Sequence, residues 1–389
     1  MMKSRVQVLF NIFNQFLNSE KAGGISLIIC TLISLFIANS IYGQNYLALW
    51  HFYIAGLSVG HWVNDGLMAI FFLLIGLELK RELYIGELSN LKNALLPIIA
   101  AAGGVCFPAL IHFLLNGGTA TQAGIGIPMA TDIAFALGTL ALLGSRIPPT
   151  LKVFLAALAV IDDLAAIVVI AIFYTATLSM AYLACALLIF GVLLVLNRVF
   201  GLRQLWPYLL GGAGLWFCML QSGVHATIAG VLLAFAIPFS KNKHTPSPSR
   251  FLEHLLDKPV KFIILPIFAM ANTGIIISSG WAQALATNNS LGIMGGLVIG
   301  KPLGIILVSF IAVAIGICKL PTGLNWKHIF GAGLLAGIGF TMSIFITNLA
   351  FTGNEDEITA SKIAVLLASL CAGILGYLWL RFLAKINYR

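Results

Sequence analysis

Long apolar runs recur along the chain from Ile25 to Leu383, and short polar segments separate them. About 20 consecutive apolar residues are needed for a helix to cross the hydrocarbon core of a bilayer. Dividing the apolar length by one such span plus a short loop predicts about eleven to thirteen helices. No polar segment is long enough to form a second, soluble domain. The pattern therefore predicts an all-α polytopic membrane protein, with residues 1–389 forming one integral membrane domain.

The composition agrees with this class, and the charges predict an orientation. Only 9% of the residues are charged, whereas a soluble domain carries about 25%. Basic residues occupy alternate polar breaks, and Lys362 is the exception, beside Glu355–Glu357. Positive residues mark the cytoplasmic side of a membrane, so the basic excess indicates topology and not nucleic-acid binding. Both termini are expected in the cytoplasm, which requires an even number of spans, about twelve.

Three segments lie outside the main spans. Residues 1–24 combine helically spaced Phe and Leu with several Asn and Gln, which predicts an interfacial amphipathic helix. Residues 43–62 are rich in aromatic and β-branched side chains and predict an outer anchor or short hairpin. Residues 240–261 contain Pro246 and Pro248 and form the longest inner connection, dividing the chain into two halves.

Two spans are expected to be broken. Pro128 stands four residues before Asp132 in a glycine-containing run, and proline removes a backbone donor and obstructs the preceding turn. Glycines interrupt a late span at Gly331, Gly333, Gly337 and Gly339. Matching breaks in two halves point to a secondary transporter, with residues 95–175 and 291–383 as inverted three-helix repeats. The alternative is that the glycines only permit close helix packing.

Four ionisable residues lie at the middle of apolar runs: Asp132, Asp162, Asp163 and Lys301. Each costs about 3 kcal/mol at the centre of a bilayer. The sum, on the order of 10 kcal/mol, rivals the whole stability of a typical domain. These side chains must therefore face one another or a water-filled cavity. A buried salt-bridge network that only fixes helix positions remains the alternative, chiefly for Asp132 and Lys301.

Asp162 and Asp163 are adjacent, so their side chains point about 100° apart on a helix. One carboxylate can bind an ion while the other pairs with Lys301. Carboxylate, hydroxyl and carbonyl oxygens suit small hard cations, and Thr131 adds a hydroxyl beside Asp132. The pattern predicts a sodium or lithium site. Dispersed histidines and cysteines argue against soft-metal ligation, and no phosphate-binding loop or other cofactor motif is present.

A second cluster of charged residues lies at the end of the second long span. Glu78, Arg81 and Glu82 lie there with Lys80, and Glu253 precedes His254 in the inner connection. Ordinary charges at a helix end would snorkel to the interface. The functional interpretation is a gate or a proton-sensing funnel on the cytoplasmic side.

The chain resembles the NhaA-type sodium/proton antiporters over essentially its full length. Four motifs carry the resemblance: Ala130–Gly138, Ala159–Leu164, Gly300–Gly304 and Gly337–Ile344. The resemblance implies twelve helices, two broken helices crossing at mid-membrane, and a homodimer assisted by the outer hairpin. NhaA-type proteins are among the transporters from which the rule on inverted repeats was drawn, so the repeat assignment is not independent of it.

The resemblance also assigns roles. It implies that Asp162 and Asp163 form the cation and proton site, with Thr131 and Asp132 beside it and Lys301 opposite. It implies activation at alkaline pH involving Glu78, Arg81, Glu82, Glu253, His254 and His225. Two departures from the family pattern are Asp257, where a histidine is usual, and Ala165, where a glycine is usual.

The sequence thus predicts a transporter, not an enzyme, exchanging Na+ or Li+ for H+ by competition at the aspartate pair. Transport would be electrogenic, without a cofactor, in the inner membrane of a bacterium. A sodium/solute carrier or a cation channel could use the same carboxylates. An intramembrane aspartyl protease also holds two aspartates in the bilayer, but here they are adjacent on one helix and the G-x-G-D signature is absent.

Overall fold

The computed structural model describes residues 20–174, 178–242, 245–277 and 280–386, and most of them are helical. The predicted interfacial helix over residues 1–24 therefore lies almost entirely outside the described residues. The helices are α1 (Glu20–Ala38), α2 (Gly43–His51), α3 (Val59–His61), α4 (Met68–Ile85), α5 (Leu91–Asn116), α6 (Ile133–Ala141), α7 (Pro149–Phe173), α8 (Met180–Arg198), α9 (Trp206–Ser222), α10 (Ile228–Ala236), α11 (Pro248–Pro259), α12 (Leu265–Asn272), α13 (Trp281–Leu285), α14 (Asn288–Gly295), α15 (Lys301–Ala314), α16 (Trp326–Ala336), α17 (Phe340–Ala350) and α18 (Glu355–Ile386).

Several segments next to these α-helices are wound as wider π-helix or tighter 3-10 helix. Three π-helical segments join consecutive α-helices: Trp62–Leu67 joins α3 to α4, Val260–Ile264 joins α11 to α12, and Gly296–Gly300 joins α14 to α15. Segments of 3-10 helix cover Glu87–Ser89, Ala120–Met129 and Gly144–Arg146. Each π turn shifts the side chains that follow it around the helix axis, and such turns are frequent at functional sites.

The helices have the length and apolarity of membrane spans. In the part of the chain that the structure describes, seven continuous helical stretches could each cross a bilayer. Two further helix pairs are long and apolar enough to cross a bilayer when each pair is taken together, but each pair is bent. The bend is 40° between Ala120–Met129 and α6 and 47° between α16 and α17. The prediction of an all-α polytopic membrane protein is confirmed. The two bends fall where Pro128 and the late glycines were expected to interrupt a span.

The segment 43–62 folds as helix α2 followed by a small antiparallel hairpin. Strand β1 (Tyr53–Ile54) pairs with β2 (Leu57–Ser58). Ala55 and Gly56 form the turn with positive φ angles of 51° and 85°, as a two-residue type I′ turn requires. The indole of Trp62 donates a hydrogen bond to the Ile54 carbonyl at 2.9 Å and fixes the hairpin to the next helix.

The predicted inner connection 240–261 contains helix α11. The amide of Ser249, in its first turn, donates to the Pro238 carbonyl at 3.1 Å. Arg250 donates to the Ser240 carbonyl as well. Within α11, Leu252 and Glu253 are buried against the bundle while Phe251 and His254 are exposed. The connection thus turns back onto the bundle and places one carboxylate inside it.

Helices α5 and α15 approach each other closely at two glycines. A Cβ added to Gly103 would lie 2.3 Å from the Gly304 carbonyl oxygen, and one added to Gly304 would lie 2.2 Å from that of Gly103. Only glycine allows the two backbones to approach this closely. The contact fixes the start of α15, where Lys301 is fully buried.

We expect Gly103→Ala to destabilise the protein, because the added methyl group meets backbone atoms that cannot move independently. Overpacking of this kind costs about 1–3 kcal/mol. Gly191→Ala in α8 is the matched control, since nothing lies within 4 Å of its added Cβ. Thermal unfolding in detergent should show a lower midpoint for Gly103→Ala and an unchanged or higher one for Gly191→Ala. Equal midpoints would contradict the packing described.

Candidate functional site

The two bends face each other inside the bundle. The amide of Asp132, at the first bend, donates a hydrogen bond to the carbonyl of Ile338, at the second bend, at 2.7 Å. The hydroxyl of Ser343 donates to the Ile127 carbonyl at 2.6 Å. Backbone groups that a bend frees from a helix must find partners in a membrane interior. Here each bend supplies partners for the other.

Asp132 caps two helices at this crossing. Its Oδ1 accepts the amide of Phe135 at 2.9 Å, so the residue is the N-cap of α6. Its Oδ2 accepts the amide of Thr341 at 3.1 Å and the hydroxyl of the same residue at 2.5 Å, in the first turn of α17. Helix N-termini favour an anion because their amides are unpaired and the helix dipole is positive there. The Asp132 carboxylate is therefore fully partnered by protein.

Asp162 on α7 forms an ion pair with Lys301 on α15. The Lys301 Nζ lies 2.9 Å from the Asp162 Oδ2, and both side chains are completely buried. The Lys301 ammonium also donates to the carbonyl of Met129, just before the first bend. The hydroxyl of Thr131 lies 2.7 Å from Asp162 Oδ2 and 2.9 Å from the Ala336 carbonyl oxygen. These two acceptors compete for its single proton.

Asp163, the next residue, has a different environment. It is also completely buried. Neither of its carboxylate oxygens has a hydrogen-bond partner among the described residues, and the same holds for Oδ1 of Asp162. An unpartnered ionised carboxylate is costly in an apolar interior. Three adjacent carboxylate oxygens are thus available to a proton or to a small cation.

The described residues contain no group of three or more His, Cys, Asp or Glu side chains arranged to hold a metal ion. The oxygens that could surround a cation are those of Asp162 and Asp163, with the Thr131 hydroxyl beside them. This donor set is hard and anionic, which suits Na+ or Li+.

A cavity of about 590 Å³ lies beside the C-terminal half of α4. Its lining residues include Glu78, Arg81 and Glu82, and also Ile133 and Val160, which are close in sequence to the buried aspartates. Arg81 pairs with Glu253 at 2.8 Å and with Glu82 at 3.0 Å. Arg81 thus joins charged groups of α4 and α11 at one side of the cavity, here termed its mouth.

Glu253, His254 and His225 of the predicted sensing set are not among the residues that line this cavity. Burial raises the pKa of Glu253, and Arg81 and the nearby His254 oppose that rise. His254 itself is exposed on α11. The His225 ring nitrogen lies 2.7 Å from the Tyr174 carbonyl oxygen, just beyond the C-terminal ends of α9 and α7. The structure thus groups Glu78, Arg81, Glu82 and Glu253, with His254 adjacent, and places His225 elsewhere.

Two contributors to the site were not singled out from the sequence. Thr341 donates twice to Asp132, and the Met129 carbonyl accepts from Lys301. The signal for Thr341 was present, because a hydroxyl residue follows the glycines of the broken span within an apolar run. A backbone carbonyl leaves no trace in the sequence.

Buried ionisable groups at the meeting point of two interrupted helices are typical of secondary transporters. The profile of one such family, Na+/H+ antiporter 1, matches residues 14–380, and the chain belongs to that family.

Curated relatives agree over nearly the full length. A protein of Dechloromonas aromatica (strain RCB) named Na(+)/H(+) antiporter NhaA is 68% identical, over 96% of this chain and 96% of its own. The protein of the same name from Flavobacterium psychrophilum (strain ATCC 49511 / DSM 21280 / CIP 103535 / JIP02/86) is 59% identical, over 96% and 97%. That of Vibrio campbellii (strain ATCC BAA-1116) is 50% identical, over 96% and 95%. These comparisons confirm the resemblance identified from the motifs.

We expect Lys301→Met to destabilise the protein strongly, by about 3–5 kcal/mol, because it leaves Asp162 buried without its cation. Adding Asp162→Asn to Lys301→Met removes that charge too, so the double variant should regain much of the lost stability. The unfolding midpoints of the wild type, Lys301→Met, Asp162→Asn and the double variant together give the interaction energy between Lys301 and Asp162. Additive losses in the double variant would contradict an energetically important pair.

Proposed function

We propose that this protein exchanges Na+ or Li+ for H+ across the inner membrane of a bacterium, with both ions competing for Asp162 and Asp163. Membership of the Na+/H+ antiporter 1 family supports the exchange reaction. The buried carboxylates support the location of the site. The cation would occupy oxygens of both aspartates, with Thr131 beside it, and leave when protons take its place.

One observation carries this assignment: Asp163 is completely buried, and neither of its carboxylate oxygens has a partner among the residues described. A purely structural carboxylate would be hydrogen-bonded, as Asp132 is. Asp163 can avoid a buried bare charge only by holding a proton or a cation. That requirement is the chemical basis of competition.

The charge balance favours electrogenic exchange. Asp162, Asp163 and Asp132 are acidic and Lys301 is basic, so the fully ionised site carries excess negative charge. Asp132 is neutralised by helix N-termini and hydrogen bonds, which leaves two titrating carboxylates opposite one ammonium. One Na+ can then displace more than one proton. The two carboxylates titrate as a coupled unit, because they are adjacent.

Alternating access would use the two bent helices. On the alkaline cytoplasmic side the aspartates lose protons and bind the cation through the cavity that Glu78 and Arg81 line. Rearrangement of the crossing then exposes the site to the outside, where protons displace the cation. The proton gradient supplies the driving energy, and no nucleotide is needed.

We also propose twelve spans with both termini in the cytoplasm. To the seven continuous spans and two bent pairs we add three shorter segments, namely α9, α10 and the stretch formed by Val260–Ile264 and α12, which gives twelve. Segments 95–175 and 291–383 form the inverted repeats, each containing one bent pair. The hairpin of 43–62 would contact a second copy of the chain in a homodimer.

Alkaline activation would act through the charged mouth of the cavity. Burial raises the pKa of Glu253, so its carboxyl group ionises at a higher pH than an exposed glutamate does. As pH rises, the Glu253 carboxylate forms and strengthens its pair with Arg81. The mouth also becomes more negative, which draws cations towards the site.

We expect Asp163→Asn to abolish Na+-driven collapse of a pH gradient in proteoliposomes, because the amide cannot exchange a proton for a cation. Wild-type protein should respond to Na+ and Li+ and not to K+, more strongly at alkaline pH. Asp356→Asn is the matched control, since Asp356 is exposed in the first turn of α18, and it should retain activity. Full activity of Asp163→Asn would exclude the proposed site. Sodium flux without proton movement would favour a solute carrier or a channel.

We expect Glu253→Gln to displace the alkaline rise of antiport by on the order of one pH unit. The amide cannot ionise, so the charge that forms next to Arg81 as pH rises is lost. Glu87→Gln is the control, because Glu87 is exposed and lines the cavity that Arg81, the partner of Glu253, also lines. Initial rates of Na+-driven proton movement across a pH series give the profile. An unchanged profile in Glu253→Gln would remove this residue from the sensing set.

A further inference from the structure

We propose that Cys185 on α8 and Cys218 on α9 form a redox-sensitive pair that closes to a disulfide at the outer end of these helices. Their Sγ atoms lie 3.6 Å apart, and both thiols are free. The cysteines belong to consecutive helices joined by the short segment 199–205. This pair lies outside the carboxylate site and goes beyond the transport function.

The geometry requires little movement for closure. A disulfide bond is about 2.05 Å long, so the sulfurs must approach by about 1.5 Å. Cys218 is buried in the helix contact, whereas Cys185 is exposed on the surface of the bundle. One sulfur is thus accessible to a reagent, and the other is positioned to complete the bond.

The pair lies near one end of both helices. Cys185 follows the first residue of α8 by five positions, and Cys218 precedes the last residue of α9 by four, which places each about 6–8 Å from its helix end. The amide of Ser179 donates to the Ser222 carbonyl at 2.9 Å, so these two ends adjoin. Arg198 and Arg203 mark the other ends.

In the orientation proposed above, the cysteine end faces away from the cytoplasm. The bacterial envelope outside the inner membrane is kept oxidising by disulfide exchange, whereas the cytoplasm keeps thiols reduced. A close thiol pair on that side encounters protein disulfides that can oxidise it. This step rests on the proposed topology.

The reaction is a thiol–disulfide exchange with a protein disulfide as oxidant. Cys185 loses its proton, and the thiolate attacks one sulfur of the oxidant to give a mixed disulfide and one departing thiolate. Cys218 then loses its proton and attacks Sγ of Cys185, which forms the intramolecular bond and releases the second thiolate. Two protons and two electrons leave the pair, and the oxidant becomes a dithiol.

Closure would tie a peripheral helix to the bundle. Only Ala186 and Leu193 are buried in α8, whereas six residues of α9 are buried. The link would hold α8 against α9 at one end without touching Asp162 or Asp163.

The first test uses reduced, purified full-length protein and dithiodipyridine, an uncharged disulfide that enters detergent micelles. We expect peptide mapping to show a Cys185–Cys218 link, with about 2 Da lost from that pair. Cys218→Ser should instead carry a stable pyridyl adduct on Cys185. Cys371→Ser, which removes an exposed cysteine of α18, should still form the link. A pyridyl adduct on Cys185 in the wild type, with Cys218 still free, would overturn the proposal.

The second test blocks thiols in intact cells with N-ethylmaleimide before lysis. We expect Cys185 and Cys218 to be linked and to escape alkylation. Alkylation of both, in protein that links readily when purified, would overturn closure in the envelope. Cys218→Ser cannot form the link but retains both aspartates. Na+-driven proton movement by this variant therefore tests the transport function independently of the disulfide.

Discussion

The ion pair between Lys301 and Asp162 is the interaction on which the centre of the bundle depends. Both charges are completely buried, and the ammonium also holds the Met129 carbonyl beside the first bend. One side chain thus connects α15, α7 and the broken span. Desolvating two charges is expensive, so this pair is retained only if its geometry serves a further purpose. Because Lys301 pairs with Asp162, the adjacent Asp163 has no cationic partner among the described residues.

The two bends solve the problem that each would create alone. An interrupted helix exposes amides and carbonyls that lipid cannot satisfy. Asp132 accepts amides from the first turns of α6 and α17, and its own amide donates to Ile338. Polar groups of one break are therefore the partners of the other. Because so many contacts are shared, any rearrangement at the crossing must change the surroundings of Asp162 and Asp163 as well.

Much of this could be predicted from the sequence, because charges and Pro128 inside apolar runs have few physical explanations. The 100° offset of adjacent helical residues predicted that the two aspartates would have different partners. It could not say that Lys301 pairs with Asp162, because that depends on how α7 is rotated against α15. The contacts of Thr341 depend equally on tertiary packing. His225 was grouped with the sensing set by resemblance alone, and its place beside Tyr174 reflects contacts that no local pattern encodes.

Competition between Na+ and H+ is tested most directly by proton release from the purified protein. Adding Na+ to wild-type protein in weakly buffered detergent solution at alkaline pH should release protons, and K+ should release none. Asp163→Asn should release fewer protons or none on the same addition. Sodium binding without proton release, or undiminished release from Asp163→Asn, would contradict competition at the aspartate pair.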